Sequence, residues 1–125
     1  HEIHTEYFEV GSETVAALNQ AKSDGRRVIA VGTTSVRVLE QLALKMVEAG
    51  DLELKPTAGQ AGLFILPGHQ FRLVNAMITN FHLPRSTLLM LVSAFAGREP
   101  VLAAYREAIE RQYRFYSFGD AMLIL

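Results

Sequence analysis

The segment Gly32–Arg37 (GTTSVR) carries three hydroxyl side chains and an arginine directly after a short apolar run. That order predicts the end of a buried strand and the start of a helix. A helix start presents unpaired backbone N–H groups and a partial positive charge, so this turn could bind an anion or a ribose. The candidate residues for binding this ligand are Gly32, Thr33, Thr34 and Ser35. With one glycine the segment matches neither the GxGxxG dinucleotide fingerprint nor the phosphate loop, so an ordinary capped helix is the alternative.

A second polar segment, Thr79–Ser86 (TNFHLPRS), places an amide, an imidazole and a guanidinium before a predicted helix. The imidazole of His82 titrates near neutral pH and could move a proton. Asn80 suits a flat heterocycle, and Arg85 suits a phosphate or carboxylate. The alternative for His82 is a hydrogen-bonded loop residue without chemistry.

A third segment, Arg111–Asp120 (RQYRFYSFGD), interleaves arginines with aromatic side chains. This composition is typical of contacts to single-stranded RNA, with Arg114 binding phosphate. Asp120 lies between a glycine and apolar residues, so we expect burial to raise its pKa and suit it to proton transfer. Packing of the aromatic rings against the protein's own sheet is the alternative.

The sequence contains no cysteine, which excludes thiol nucleophiles, disulfides and cysteine-ligated zinc or iron–sulfur sites. Near the N-terminus, His1, His4 and Glu6 could suggest a metal site. Two histidines and one carboxylate on a possible strand end are a poor zinc signature, so we predict no metal site.

The charge is balanced overall but not along the chain. The 125 residues carry a net charge of −1, with 50% hydrophobic and 20% charged residues, as expected for one globular domain. Residues 54–98, however, contain no Asp or Glu, and nine of the twelve bases in the chain are Arg. This bias favours an anion-binding surface, and the alternative is that an apolar segment leaves little room for charges.

Apolar runs and periodicity predict an α/β fold with a mostly parallel sheet and flanking helices. Strands are predicted at 27–33, 63–66, 72–79 and 121–125, with residues 54–62 forming a loop. Helices are predicted at 12–25 with Ser12 as N-cap, from Thr34 or Ser35 to Gly50, at 86–96 with Ser86 as N-cap, and from Pro100 to about 113. The helix at 86–96 is apolar all round, so we expect it to be buried on every side.

The longest stretch without charge or strong polarity, 87–97, is about half of the roughly 20 residues that a membrane-spanning helix needs. No basic and apolar leader follows His1, so we predict no signal peptide and no membrane contact. The absence of cysteine and the near-neutral charge lead us to expect a cytoplasmic protein.

Three stretches, RVIAVGTTSVR, PGHQFRLVNAMITNFHLPRSTLLMLVSAFAG and YRFYSFGDAM, resemble the C-terminal part of the S-adenosylmethionine:tRNA ribosyltransferase-isomerases, the QueA family of queuosine biosynthesis. The opening HEIHTEYFEV resembles the family's entry to this region, so the resemblance covers essentially the whole chain. One departure is visible: Asn75 stands where the family pattern leads us to expect an acid. A general base at that position is therefore in doubt.

The resemblance implies a tRNA-modifying transferase. Such an enzyme transfers and isomerises the ribosyl part of S-adenosylmethionine onto 7-aminomethyl-7-deazaguanine at the wobble position of the anticodon. Epoxyqueuosine forms, adenine and methionine leave, and no metal or second cofactor is expected. The chain would be the C-terminal part of the main α/β catalytic domain, with the rest of that domain and a β-barrel-like second domain lying outside it. We expect a monomer.

The resemblance, combined with the residue types, suggests a role for each candidate. His82 and Asp120 would move protons, Gly32, Thr33, Thr34, Ser35 and Asn80 would bind the substrates, and Arg37, Arg85 and Arg114 would bind phosphate or carboxylate. Two other hypotheses for the function remain open. One is an RNA- or nucleoside-binding α/β module without catalytic activity, and the other is an enzyme acting on a phosphorylated sugar at residues 32–37.

Overall fold

A computed structural model describes residues 5–82, 86–116 and 119–125, which form five strands and four helices. In chain order these are β1 (Tyr7–Val10), α1 (Ser12–Ser23), β2 (Ile29–Val31), α2 (Thr33–Ala49), β3 (Thr57–Gln60), β4 (Ala76–Asn80), α3 (Thr87–Ala96), α4 (Arg98–Glu110) and β5 (Ala121–Ile124). His1 and His4 lie outside the described residues, and so do Arg85 and Phe118.

The strands form two small sheets, one of three strands in the order β2-β4-β5 and one of two strands, β1-β3. β2 and β4 are parallel, whereas β4 pairs with β5 and β1 pairs with β3 in antiparallel fashion. The fold is therefore mixed α/β, and the expectation of a mostly parallel sheet is wrong for the described residues. The reason lies between β4 and β5, where two helices, α3 and α4, follow each other with a bend of 116°. Two successive helices return the chain to the end of the sheet that it left, so β5 runs opposite to β4.

The β2-to-α2 turn agrees with the sequence prediction, and its details differ by a residue or two. Gly32 is the N-cap, so α2 begins at Thr33 rather than after a capping hydroxyl. At the other end Gly50 adopts a left-handed conformation with φ 72°, and its N–H bonds to the carbonyls of the last turn. Gly50 therefore ends the helix where the sequence placed its end.

Residues 54–66 are paired differently from the prediction. β3 lies inside the segment predicted to be a loop, because pairing with the distant β1 overrides the low strand propensity of its Gly59. The predicted strand at 63–66 is absent from the described structure. Instead, Gln41 of α2 accepts a hydrogen bond from the N–H of Leu63, and Arg37 donates one to its carbonyl. Side chains of α2 thus form the hydrogen bonds that a neighbouring strand would otherwise make with the backbone of Leu63.

The apolar side chains form two cores on either side of α2. One packs α3, α4 and β4 around Met77, Leu91 and Val92, and the other packs α1, α2 and β1 around Leu42. Of the residues of α3 only Leu91 and Val92 are buried, so the expectation of a helix buried on every side is wrong. Among the described residues no single helix is long and apolar enough to cross a membrane, and α3 and α4 reach that length only as a bent pair.

Ser86 caps α3 as predicted, since its Oγ accepts a hydrogen bond of 3.1 Å from the N–H of Leu89. The cap predicted at Ser12 is wrong, because Gly11 occupies that position and no side chain caps α1. We expect Ser86→Ala to lower the free energy of unfolding by about 1 kcal/mol, and Ser12→Ala to change it by less than about 0.5 kcal/mol. Urea denaturation of the intact protein measures both, and equal losses would contradict the capping role.

Candidate functional site

Parallel pairing brings the first two polar segments together at one edge of the sheet. Val31 of β2 is in register with Ile78 of β4, and the N–H of Gly32 donates to the carbonyl of Ile78 over 2.8 Å. Both strands therefore end at the same place, and the residues that follow them face each other. A cavity of about 350 Å³ opens there, lined by Val31, Gly32, Thr33, Thr34, Ser35, Ile78, Thr79, Asn80 and His82. We call it the strand-end pocket.

The Gly32 turn shapes the first wall of this pocket. Gly32 has φ 92° and ψ 147°, a conformation that strains any residue with a Cβ. The chain then enters α2 with no side-chain cap and no acid in the first turn. The first backbone N–H groups of α2 therefore have no side-chain partner and are available to a ligand. The positive end of the helix dipole at the same place favours an anion.

An acid that the sequence did not assign to this wall lies beside it. The carboxylate of Glu6, just before β1, is 3.4 Å from the hydroxyl of Thr34 through both of its oxygens. From the sequence alone, Glu6 is a candidate only as a metal ligand together with His1 and His4. Among the described residues no group of three His, Asp or Glu side chains could hold a metal ion.

His82 forms the opposite wall and is held at one ring nitrogen. Its Nε2 lies 2.8 Å from the hydroxyl of Thr79, and its Nδ1 makes no hydrogen bond with the described residues. Because those residues contain no buried side-chain nitrogen without a partner, Nδ1 remains accessible. Burial lowers the pKa of the imidazole below its ordinary value of 6.5, so His82 is neutral at pH 7. A neutral imidazole with one nitrogen fixed and the other accessible can accept a proton.

An aromatic cluster fixes the backbone of this wall. Phe81 is buried, with ring centroids 5.3 Å from Tyr105 and 5.0 Å from Phe115. The hydroxyl of Tyr105 accepts a hydrogen bond of 2.7 Å from the N–H of His82. Phe115 of the third segment therefore packs against Phe81 and Tyr105. For this residue the alternative of packing within the protein is the one observed, in place of stacking on RNA bases. Tyr113 is half-exposed, with a looser ring contact to Phe81 at 6.1 Å.

Asn80 is the last residue of β4 and lines the pocket with an exposed side chain. It is in register with Ala121, the first residue of β5, so Asp120 comes next to the same strand end. Asn80 and the hydroxyls around Gly32 thus share one cavity, as their assigned roles require, while Asp120 lies outside its lining.

The structure corrects the expectation for Asp120. Its carboxylate accepts hydrogen bonds from the backbone N–H and from Nε of Arg114, the latter at 3.2 Å. The backbone bond above all, and then the side-chain bond, lower the pKa of Asp120 rather than raise it. Asp120 and Arg114 therefore neutralise each other, and a carboxylate of lowered pKa is a weak base.

The structure also corrects the expectation for Arg37. Its side chain is buried, and the guanidinium donates to the carbonyls of Ala61 and Leu63. Arg37 is absent from the pocket lining and connects α2 to the chain after β3. Its position therefore assigns it a structural role in place of anion binding. Arg85, the other arginine of the polar segments, lies outside the described residues.

A larger cavity of about 660 Å³ lies between α3, α4 and the turn at Pro67 and Gly68. Its lining is mostly apolar and contains none of the candidate residues. The strand-end pocket therefore remains the candidate site, because it brings together residues of the first two polar segments, His82 among them. Sequence reasoning missed Tyr105 as a residue of this site, since its helical spacing indicated only core packing.

Comparison with known proteins decides the family. A sequence model described as "Queuosine biosynthesis protein" matches residues 1–124. The chain belongs to the queuosine biosynthesis family. A protein from Nitratidesulfovibrio vulgaris (strain DP4) named S-adenosylmethionine:tRNA ribosyltransferase-isomerase is 61% identical over 124 residues, which are 99% of this chain and 32% of that protein. A protein of the same name from Carboxydothermus hydrogenoformans is 57% identical over 125 residues, 100% of this chain and 35% of that protein.

A solved structure agrees with the same family. The crystal structure of an S-adenosylmethionine tRNA ribosyltransferase from Thermotoga maritima matches with a TM-score of 0.86 and 54% identity, over 95% of this chain and 40% of that one. The chain spans about a third of the length of the curated relatives named above. The resemblance found in the sequence is confirmed at the level of the family.

Asn75, where the resemblance leads us to expect an acid, lies away from the strand-end pocket. Asn75 precedes β4, and its Oδ1 accepts a hydrogen bond of 2.8 Å from the N–H of Val28, which precedes β2. This contact lies at the amino ends of the two parallel strands, whereas the pocket lies at their carboxyl ends. Asn75 is therefore not part of the pocket lining.

Proposed function

We propose that this chain forms part of the active site of an S-adenosylmethionine:tRNA ribosyltransferase-isomerase. The reaction is transfer and isomerisation of the ribosyl group of S-adenosylmethionine onto 7-aminomethyl-7-deazaguanine at the wobble position of tRNA, giving epoxyqueuosine, adenine and methionine. The names of relatives 57–61% identical to the chain support ribosyl transfer from S-adenosylmethionine to tRNA with isomerisation. The observation that carries it is the convergence of the Gly32 turn and His82 on one cavity. The protein would act in the cytoplasm, where tRNA is modified.

The first wall suits the polar parts of S-adenosylmethionine. A cavity of about 350 Å³ with backbone N–H groups and the hydroxyls of Thr33 and Ser35 offers donors to ribose hydroxyls or to a carboxylate. The Thr34 hydroxyl, which donates to Glu6, can accept a hydrogen bond from a ribose hydroxyl. S-adenosylmethionine supplies a ribosyl group activated by the attached sulfonium. The carboxylate of Glu6 behind Thr34 adds a negative charge near this cation.

The second wall suits proton transfer and base recognition. A reaction beside a sulfonium needs a base, and His82 is neutral at pH 7 with Nδ1 accessible. Asn80 carries an amide that can pair with the edge of a heterocycle, either the adenine or the deazaguanine. Arg85 would meet RNA phosphates. Arg114 precedes β5 with an exposed side chain, and it would have to exchange its ion pair with Asp120 for a phosphate.

The decisive assay incubates the intact protein with S-adenosylmethionine and tRNA that bears 7-aminomethyl-7-deazaguanine. We expect adenine and the modified nucleoside to form in equal amounts, as measured by mass spectrometry. The matched control is the same tRNA with guanine at the wobble position, which should release no adenine. Binding of both substrates without any adenine release would leave an RNA- or nucleoside-binding module.

A further inference from the structure

Four basic side chains surround a second cavity at the opposite edge of the three-stranded sheet. Lys22, Arg26, Arg27 and Arg72 line a space of about 260 Å³ together with Gly25, Val28, Leu73 and Asn75. These residues precede β2 and β4, so the cavity lies at the amino ends of the two parallel strands. We call the four bases the basic cluster.

The basic cluster is mostly unneutralised within the described residues. Asp24 forms an ion pair of 3.2 Å with Arg26. Among the described residues, the ammonium of Lys22 donates only to the sulfur of Met46, at 3.7 Å. The guanidinium of Arg72 donates to the carbonyl of Gln70 over a long distance of 3.4 Å. Arg27 makes no hydrogen bond or ion pair with the described part of the chain. Three positive charges therefore face the cavity without a carboxylate to balance them.

Firm backbone contacts position the cluster. After α1 the chain turns at Gly25, which has φ 69°, and the N–H of Arg26 donates to the carbonyl of Ala21 over 2.9 Å. The N–H of Arg72 donates to the buried carboxylate of Glu40 over 2.8 Å. Hydrogen bonds thus hold the backbone on both sides of the cavity.

We propose that the basic cluster binds phosphodiester groups of the tRNA backbone, as a contact surface separate from the strand-end pocket. Arginine guanidinium groups fit phosphate oxygens in a bidentate manner, and a polyanion with closely spaced phosphates matches several unneutralised cations at once. The two sites are separated by the length of β2 and its flanking residues, on the order of 15 Å at about 3.3 Å per residue. A tRNA is long enough to contact both. This inference rests on the proposed function, which makes tRNA a substrate.

The test compares two double variants of the intact protein that remove equal charge. Arg27→Gln with Arg72→Gln removes two bases of the cluster, and Lys45→Gln with Arg106→Gln removes two exposed bases elsewhere. We expect the first pair to weaken tRNA binding about tenfold at 0.15 M salt and to lower the slope of log K against log salt by about 1.5 to 2. The control pair should change affinity by less than about twofold, and neither pair should change the affinity for S-adenosylmethionine.

Asn75→Asp provides a subtler variant. A carboxylate at this position can still accept the hydrogen bond from Val28, so the backbone contact is retained while a negative charge enters the cavity wall. We expect tRNA affinity to fall several-fold with no change in affinity for S-adenosylmethionine.

The outcomes separate the surface from the proposed function. Equal losses of tRNA affinity in the cluster and control variants would overturn the proposal, and so would no loss in either. A parent protein that binds no tRNA would overturn both the surface and the function. A cluster-specific loss in a parent that binds tRNA but releases no adenine would support the surface and contradict the proposed reaction.

Discussion

His82→Ala lowers the turnover of the intact protein by about 10²- to 10⁴-fold, the usual contribution of a positioned general base. The reason is that His82 is the titratable side chain with a free ring nitrogen among the described residues that line the strand-end pocket. Since the imidazole lies on the wall opposite the donors of α2, its removal should change kcat more than substrate affinity. Single-turnover adenine release measures the loss.

Thr79→Val is the matched control for this prediction. It removes the hydrogen bond to Nε2 and leaves the imidazole in place, so we expect a loss of only about tenfold in turnover. Circular dichroism and the affinity for S-adenosylmethionine check that both variants fold. Turnover of His82→Ala within about threefold of the parent would remove His82 from the chemistry.

The pH profile tests the same role with the sign fixed by the pKa. Burial lowers the pKa of His82 below 6.5, and only the neutral imidazole can accept a proton. Turnover should therefore rise with pH through an apparent pKa below 6.5 and be flat near pH 7. In His82→Ala this rise should disappear from whatever activity remains.

Glu40→Ala should lower the free energy of unfolding by about 3–5 kcal/mol. Glu40 of α2 is buried, and its two carboxylate oxygens accept hydrogen bonds from the backbone N–H groups of Arg72, Leu73 and Val74 and from Nε2 of His69. Alanine would leave at least the two buried N–H groups of Leu73 and Val74 without a partner. Urea denaturation measures the loss, and faster amide exchange at 72–74 locates it.

Glu48→Ala is the control, because Glu48 is an exposed residue of the same helix. Its effect should stay within about 0.5 kcal/mol. Glu40→Gln should fall between the two variants, since the amide keeps one accepting oxygen but turns a donor toward backbone donors. A loss below about 1 kcal/mol in Glu40→Ala would show that water or a rearranged loop satisfies these N–H groups.

The parts of the fold that could be predicted are those set by local sequence. The apolar run before Gly32 predicts β2, Gly50 predicts the end of α2, and Ser86 predicts the start of α3. β3 could not be predicted, because its Gly-containing sequence is a strand only through pairing with β1. The direction of β5 depends on the bend between α3 and α4, which no local pattern encodes.

In the candidate site, too, the features set by local sequence could be predicted and those set by tertiary contacts could not. Residue types identified the Gly32 turn and His82, and the parallel pairing of β2 with β4 explains why they meet. Arg37 and Asp120 were misjudged because a charged residue looks the same in the sequence whether it faces a ligand or a partner within the protein. Their partners, the carbonyl of Ala61 and the backbone of Arg114, are set by tertiary contacts.

A crystal structure of the intact protein with S-adenosylmethionine bound would show whether the strand-end pocket holds this compound, as we propose. We expect the ribose or the methionine carboxylate within hydrogen-bond distance of the N–H groups of residues 33–35, with the ribosyl carbons facing Nδ1 of His82. S-adenosylmethionine bound in the apolar cavity between α3 and α4, or away from these residues altogether, would overturn the assignment of the strand-end pocket as its site.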